Sequence, residues 1–150
     1  MPQALAKLHL HLVFSTKHRE GWLHDAVRDP LHAYMTGVFA KIGCPLVAVG
    51  SIEDHVHVLF ELSRTMPVCD AVEAVKSASS RWLKTQGDEF GSFAWQAGYG
   101  VFAVSSSNIR RVCAYIASQR EHHRRADFRA EYRGLLERHQ VAFDARHVWD

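Results

Sequence analysis

The chain has 150 residues, 18 Lys and Arg against 16 Asp and Glu, a formal net charge of +2 and 11 histidines. That length suits a single domain over residues 1–150, and a chain of this size buries about 68–70% of its unfolded surface without needing disulfide staples. A hydrophobic content of 47% excludes disorder, no apolar run reaches the roughly 18–20 residues of a membrane span, and three scattered cysteines without CxxC spacing exclude a zinc ribbon. With no signal-peptide pattern at the N-terminus, Cys44, Cys69 and Cys113 read as buried thiols of a cytoplasmic protein.

Residues 8–15 alternate and are rich in Leu, Val and Phe, which predicts a strand; 17–25, with Gly21, form a loop. Val27, Leu31, Tyr34, Met35, Val38 and Ile42 recur at helical spacing over 26–42, and Gly43 ends that helix. Residues 46–52 and 55–62 are two strand-like runs separated only by Glu53 and Asp54, the length of a tight hairpin turn. Pro67 suits the first turn of a second helix that runs to about Lys84, with Val68, Val72, Val75 and Trp82 on one face. Residues 87–98 read as a long loop and 99–104 as a fourth strand, after which Ser105, Ser106 and Ser107 offer caps for a helix from Asn108. A last helix near 127–140 carries Phe128, Tyr132, Leu135 and Leu136 on one stripe. Strands joined by a hairpin, with helices between them, predict an α+β fold: a ferredoxin-like, palm-like antiparallel sheet with helices packed on it.

On a strand, residues i and i+2 share a face, so His55 and His57 present two imidazoles side by side while Val56, Val58 and Phe60 face the core. Two such imidazoles can bind one divalent ion and leave positions for a third ligand and a substrate oxygen; the plainer reading is a pair of partly exposed strand histidines. His9 and His11 repeat the alternation without an acidic or amide neighbour, which suits the polar face of a half-exposed first strand. If the two pairs met across the sheet, a structural zinc site of four histidines would result.

The helix from Asn108 puts Ile109, Val112, Cys113 and Ile116 on one face and Arg111, Tyr115, Gln119 and His122 on another. Tyr115 and Gln119 are four apart, so both side chains reach the same space. Charge is uneven along the chain: residues 1–106 carry nine basic and ten acidic side chains, while 107–150 carry nine arginines and six acids. Arg120, Arg124, Arg125, Arg129 and Arg133, with His122 and His123 among them, form either a phosphate-binding face or a solvated one laced with ion pairs, Asp127 and Glu131 lying four apart near those arginines.

Several stretches taken together resemble one family. They are His55-Val56-His57, the run Tyr115-Ile116-Ala117-Ser118-Gln119 about 60 residues later, the opening run from His11 to Arg19, Ser79-Ser80-Arg81-Trp82-Leu83, and Trp95-Gln96-Ala97-Gly98-Tyr99. The chain resembles the HUH single-tyrosine transposases, small insertion-sequence transposases that act on single-stranded DNA, and their REP-associated tyrosine transposase relatives. The resemblance implies that Tyr115 attacks a DNA phosphodiester to form a 5′-phosphotyrosine link, and that a 3′-hydroxyl later rejoins the strand. It implies one divalent ion per active site, Mg²⁺ or Mn²⁺, held by His55, His57 and Gln119. It further implies a homodimer in which the tyrosine helix can complete the partner's site in trans, and a single-stranded DNA substrate with hairpin ends. Lys17, Arg19, Arg81, Lys84 and Arg111 are the phosphate-contact candidates, followed by Arg120, Arg124 and Arg125. A domesticated REP-type nickase and a non-catalytic nucleic-acid-binding relative are the alternatives.

Overall fold

Four strands build one antiparallel sheet in a computed structural model that describes residues 2–119, 123 and 126–150. In chain order the elements are β1 (His9–Ser15), α1 (Asp25–Lys41), β2 (Leu46–Ser51), β3 (His55–Glu61), α2 (Val68–Lys84), β4 (Gly100–Val104), α3 (Ile109–Ala117) and α4 (Phe128–Arg138). The sheet order is β2-β3-β1-β4, so α1 connects β1 to β2 across β3, and α2 connects β3 to β4 across β1. These two interleaved crossovers make the ferredoxin-like arrangement expected from the element order. Among the described residues, no helix is long and apolar enough to cross a membrane.

Register sorts the side chains. Val13 pairs with His57, Ser15 with His55 and His11 with Leu59, so these residues share one face of the sheet. Leu12, Phe14, Val56, Val58 and Phe60 point the other way and meet Val27, Leu31, Met35 and Phe39 of α1 and Val72, Val75 and Leu83 of α2 in the main core. The histidine face is covered as well. There Val13 and Phe102 pack with Phe128, Tyr132, Leu135 and Leu136 of α4 in a second, smaller cluster. Helices therefore lie on both sides of the sheet, and β3 is buried from His55 through Phe60.

Local chemistry explains most boundaries. Gly43, at φ 74°, supplies the left-handed residue that stops α1. The glycine-rich stretch 87–98 folds inward: Phe90, Phe93 and Trp95 are buried, and the Trp95 indole N–H donates to Ser79 Oγ at 3.0 Å. Two expectations need correction. Of the cysteines only Cys44 is buried; Cys69 sits on the exposed side of the first turn of α2, and Cys113 is half-buried on α3. His9 and His11 are 8% and 4% exposed, not the polar edge of a half-exposed strand, because a second helical layer covers their face.

Candidate active site

Side chains from three elements converge on the covered face of β3. His57 Nε2 lies 2.8 Å from Glu131 Oε1, and His55 Nε2 and His123 Nε2 each lie 3.2 Å from the same oxygen. Gln119 Oε1 stands 3.3 Å from His55 Nε2 and 3.0 Å from His123 Nε2. The ligand atoms of His55, His57, His123 and Glu131 all fall within 4.8 Å of one another. Gln119, just past the end of α3, is aimed by that helix: its amide Nε2 donates to the Tyr115 carbonyl at 3.2 Å, which turns Oε1 toward the imidazoles. The end of α3 reaches the sheet at Gly50, which pairs with His57 across the β2–β3 ladder. A Cβ at Gly50 would overlap the Ile116 carbonyl oxygen and come within 3.0 Å of Ile116 Cγ2. Glu131 is carried by α4, whose first turn is capped by Asp127 accepting from the Ala130 N–H at 2.9 Å.

Two partners stand behind the histidine pair. Asp54 Oδ1 accepts from His55 Nδ1 at 2.7 Å, and His11 Nε2 shares a 2.8 Å hydrogen bond with His57 Nδ1. The Tyr115 hydroxyl donates to Glu131 Oε2, and its ring lies 5.6 Å from that of His57 and 6.1 Å from that of His11. Tyr115 thus stands beside the histidine pair of its own chain. His11, expected with His9 as a competing pair, instead contacts His57 across the β1–β3 pairing.

Counting protons shows what the site can hold. Three imidazoles facing one carboxylate oxygen must each offer an N–H, and His55, which also donates to Asp54, must then carry both protons and a positive charge. Burial opposes that charge, but the hydrogen bonds to Asp54 and Glu131 outweigh it and raise His55 to about 9. Burial holds His57 below the ordinary value, and the same burial, with His57 nearby, takes His11 down to about 3, so His11 stays neutral. Glu131 is buried, which favours its protonated form, yet the bonds from His123, His55 and His57 hold it ionised, well below the usual carboxylate range. Burial and the Glu131 contact push the Tyr115 phenol above its ordinary value.

The donor set fits a divalent cation. When the imidazoles present lone pairs instead of N–H groups, Asp54 and neutral His11 are already placed to take the Nδ1 protons of His55 and His57, the outer hydrogen bonds that fix a metal-binding tautomer. Imidazole nitrogens suit Mn²⁺ better than Mg²⁺, and the Gln119 amide oxygen suits either.

Of the expected phosphate contacts among the described residues, Arg111 lines the same cleft as the tyrosine, about 280 Å³ and shared with His11, Arg138 and His139. Lys17 and Arg19 occupy the turn after β1, at the His55 end of the sheet, with His18 and Arg19 at φ 58° and 56°. Arg81 and Lys84 end α2, on the opposite side of the sheet from Tyr115. Arg120, His122, Arg124 and Arg125 lie outside the described residues. Arg129 and Arg133 stack over Trp149 at 5.1 and 6.0 Å.

Glu131 corrects another expectation. Instead of lying with Asp127 near the arginines of a solvated face, it is 6% exposed and points at the imidazoles. A signal for it exists in the chain: 128, 131, 132 and 135 follow the i, i+3, i+4, i+7 pattern, so Glu131 lies within the apolar stripe of its helix. His123, four residues after Gln119, carries a comparable signal.

Comparison with known proteins points the same way. The family described as "Transposase IS200 like" matches residues 4–119. The ISDra2 transposase TnpA of Deinococcus radiodurans is 27% identical over 120 residues, covering 77% of this chain and 86% of that protein. A crystal structure of a transposase-like protein from Deinococcus radiodurans R1 superposes with a TM-score of 0.63 at 29% identity, over 79% of this chain and 98% of the other. A REP-associated tyrosine transposase bound to a REP hairpin shares the fold, with a TM-score of 0.61 at 13% identity, over 82% of this chain and 73% of the other.

Proposed function

The chain belongs to the IS200-like transposase family, and from that premise we propose that it cleaves and rejoins single-stranded DNA with Tyr115 as nucleophile. The observation that carries this reading is the placement of the Tyr115 hydroxyl against the cluster of His55, His57 and Gln119, within one chain. The phenolic oxygen attacks the scissile phosphorus, a phosphorus–tyrosine oxygen bond forms, and the bond to the 3′-oxygen breaks to leave a 3′-hydroxyl. Attack by a 3′-hydroxyl on the phosphotyrosine reverses the step, with no net change in the number of phosphodiester bonds.

An unperturbed tyrosine is ionised only about one part in a thousand at neutral pH, and Tyr115 is shifted further toward its neutral form, so the resting nucleophile is held protonated. A divalent ion, Mg²⁺ or Mn²⁺, held by His55, His57 and Gln119, would supply the Lewis acidity that stabilises charge on the phosphate. Arg111 contributes a guanidinium in the cleft that opens beside Tyr115, where it can pair with a phosphate oxygen of the incoming strand. Lys17 and Arg19 extend the basic path past the His55 end of the sheet. The hairpin held by the REP-associated structural neighbour supports a substrate that presents hairpin ends, and the family resemblance supports a homodimer with two such sites.

The test is covalent capture. Hairpin oligonucleotides drawn from the DNA flanking the gene are incubated with the protein and Mn²⁺, and the products are separated on a denaturing gel. A shifted protein–DNA adduct, lost with EDTA and lost in Tyr115→Phe while DNA binding persists, is the expected result. Cleavage that survives Tyr115→Phe would sink the assignment. An adduct that forms but never rejoins would favour the REP-type nickase.

A further inference from the structure

We propose that Glu131 is a further residue of this reaction centre: a carboxylate ligand of the divalent ion whose second oxygen holds the Tyr115 hydroxyl toward it. The inference rests on the reading that His55, His57 and Gln119 take that ion, and adds a residue from a different helix. Three observations carry it. Glu131 Oε1 lies between 2.8 and 3.2 Å from the Nε2 atoms of His55, His57 and His123, at the focus of the cluster. The other oxygen, Oε2, accepts from the Tyr115 hydroxyl. The side chain is buried, at a position of α4 where Phe128, Tyr132 and Leu135 seat the helix in the second apolar cluster.

Charge gives the physical reason. Imidazoles and an amide are neutral donors, so a dication held by them alone would keep its full charge in a site closed off from water, which is costly. One carboxylate halves that charge and adds a hard oxygen, widening the site toward Mn²⁺ and Mg²⁺. A carboxylate that touches both the ligand cluster and the nucleophile also fixes their separation. Through this contact the hydroxyl is tied to the cluster before any DNA arrives.

The experiment is titration calorimetry of the full chain with MnCl₂, comparing wild type, His57→Ala, Glu131→Gln and Glu131→Asp. Glu131→Gln keeps the shape and can still hydrogen-bond Tyr115, but it removes the charge. Its Mn²⁺ affinity is expected to fall by about tenfold to a hundredfold, with Glu131→Asp falling less. Unchanged affinity in both Glu131 variants, with binding lost in His57→Ala, overturns the role of Glu131 and leaves the histidine site standing. Unchanged affinity in His57→Ala overturns both. Co²⁺ substitution gives a second readout should Glu131→Gln fold poorly: Glu131→Asp must alter the visible d–d spectrum, and a spectrum identical to wild type counts against ligation. Adduct formation by Glu131→Ala at saturating Mn²⁺ tests the tyrosine-holding half: that variant keeps no group to accept from the hydroxyl, so a slowed rate is expected and a rate fully restored by excess ion overturns it.

Discussion

Replacing Gly50 by alanine tests whether the close crossing of α3 over β2 sets the geometry of the site. Gly50 pairs with His57 in the ladder, and its missing side chain leaves room for the Ile116 backbone immediately after Tyr115. A methyl group there meets a backbone carbonyl, which cannot swing aside as a flexible side chain can, and lies only 3.0 Å from Ile116 Cγ2. The last turn of α3 must lift by roughly an ångström. Overpacking of this kind costs about 1–3 kcal/mol of stability, and a misplacement of about 1 Å in a reacting group costs on the order of 10²-fold in rate. The expected result is a folded protein with a lowered melting temperature and adduct formation slowed far more than stability alone explains. Gly37→Ala is the control. A methyl group at that position, in the middle of α1, would meet nothing within 4 Å, so the variant should gain about 0.5–1 kcal/mol and leave the rate unchanged. Wild-type adduct rates in Gly50→Ala would refute the argument that this crossing positions Tyr115 and Gln119.

Three further outcomes are expected. Because His11 stays neutral in the fold down to about 3 against an ordinary 6.5, the unfolded chain takes up a proton that the folded one refuses between those values, so His11 costs stability as pH falls through that window; denaturant titrations from pH 7 to 4 should show a shallower decline in His11→Gln, and parallel curves would contradict it. Trp95→Phe removes the bond that Ser79 Oγ accepts while its bond to the Lys76 carbonyl stays, and should cost about 0.5–1.5 kcal/mol in the same assay, whereas a neutral change would mean the indole bond is replaceable. Mn²⁺ at 100 times its dissociation constant should stabilise the protein by about 2.7 kcal/mol, seen as a rise in melting temperature that EDTA reverses and His57→Ala abolishes.

The sheet is legible in the sequence because its strands and helices differ in hydrophobic period and are punctuated by Gly43, the Glu53-Asp54 turn and Pro67. The centre of the site is legible too, since His55 and His57 lie on one strand and Gln119 follows Tyr115 by four residues, just past the end of α3. What crosses between elements is not. Whether His11 meets His57 depends on the β1–β3 register, and whether Glu131 enters the cluster depends on how α4 docks over the sheet. The burial of His9 and His11 escapes the sequence for the same reason: alternation shows that a strand has two faces, not what covers the second.

The unequal size of the two apolar clusters separates parts of the molecule that will open on different timescales. β1 and β3 are clamped from both sides, so their amides should be the last to exchange with deuterated solvent, at a cost close to global unfolding. Among the described residues, the cover carrying Glu131 is seated by Val13, Phe102 and four side chains of α4, with Val148 and Trp149 at its margin. Its smaller apolar seat predicts that α4 opens at a lower cost than the other layers, and such a partial opening would give water and ions a route to the imidazoles. Exchange protection in α4 therefore reports directly on how tightly the site is sealed.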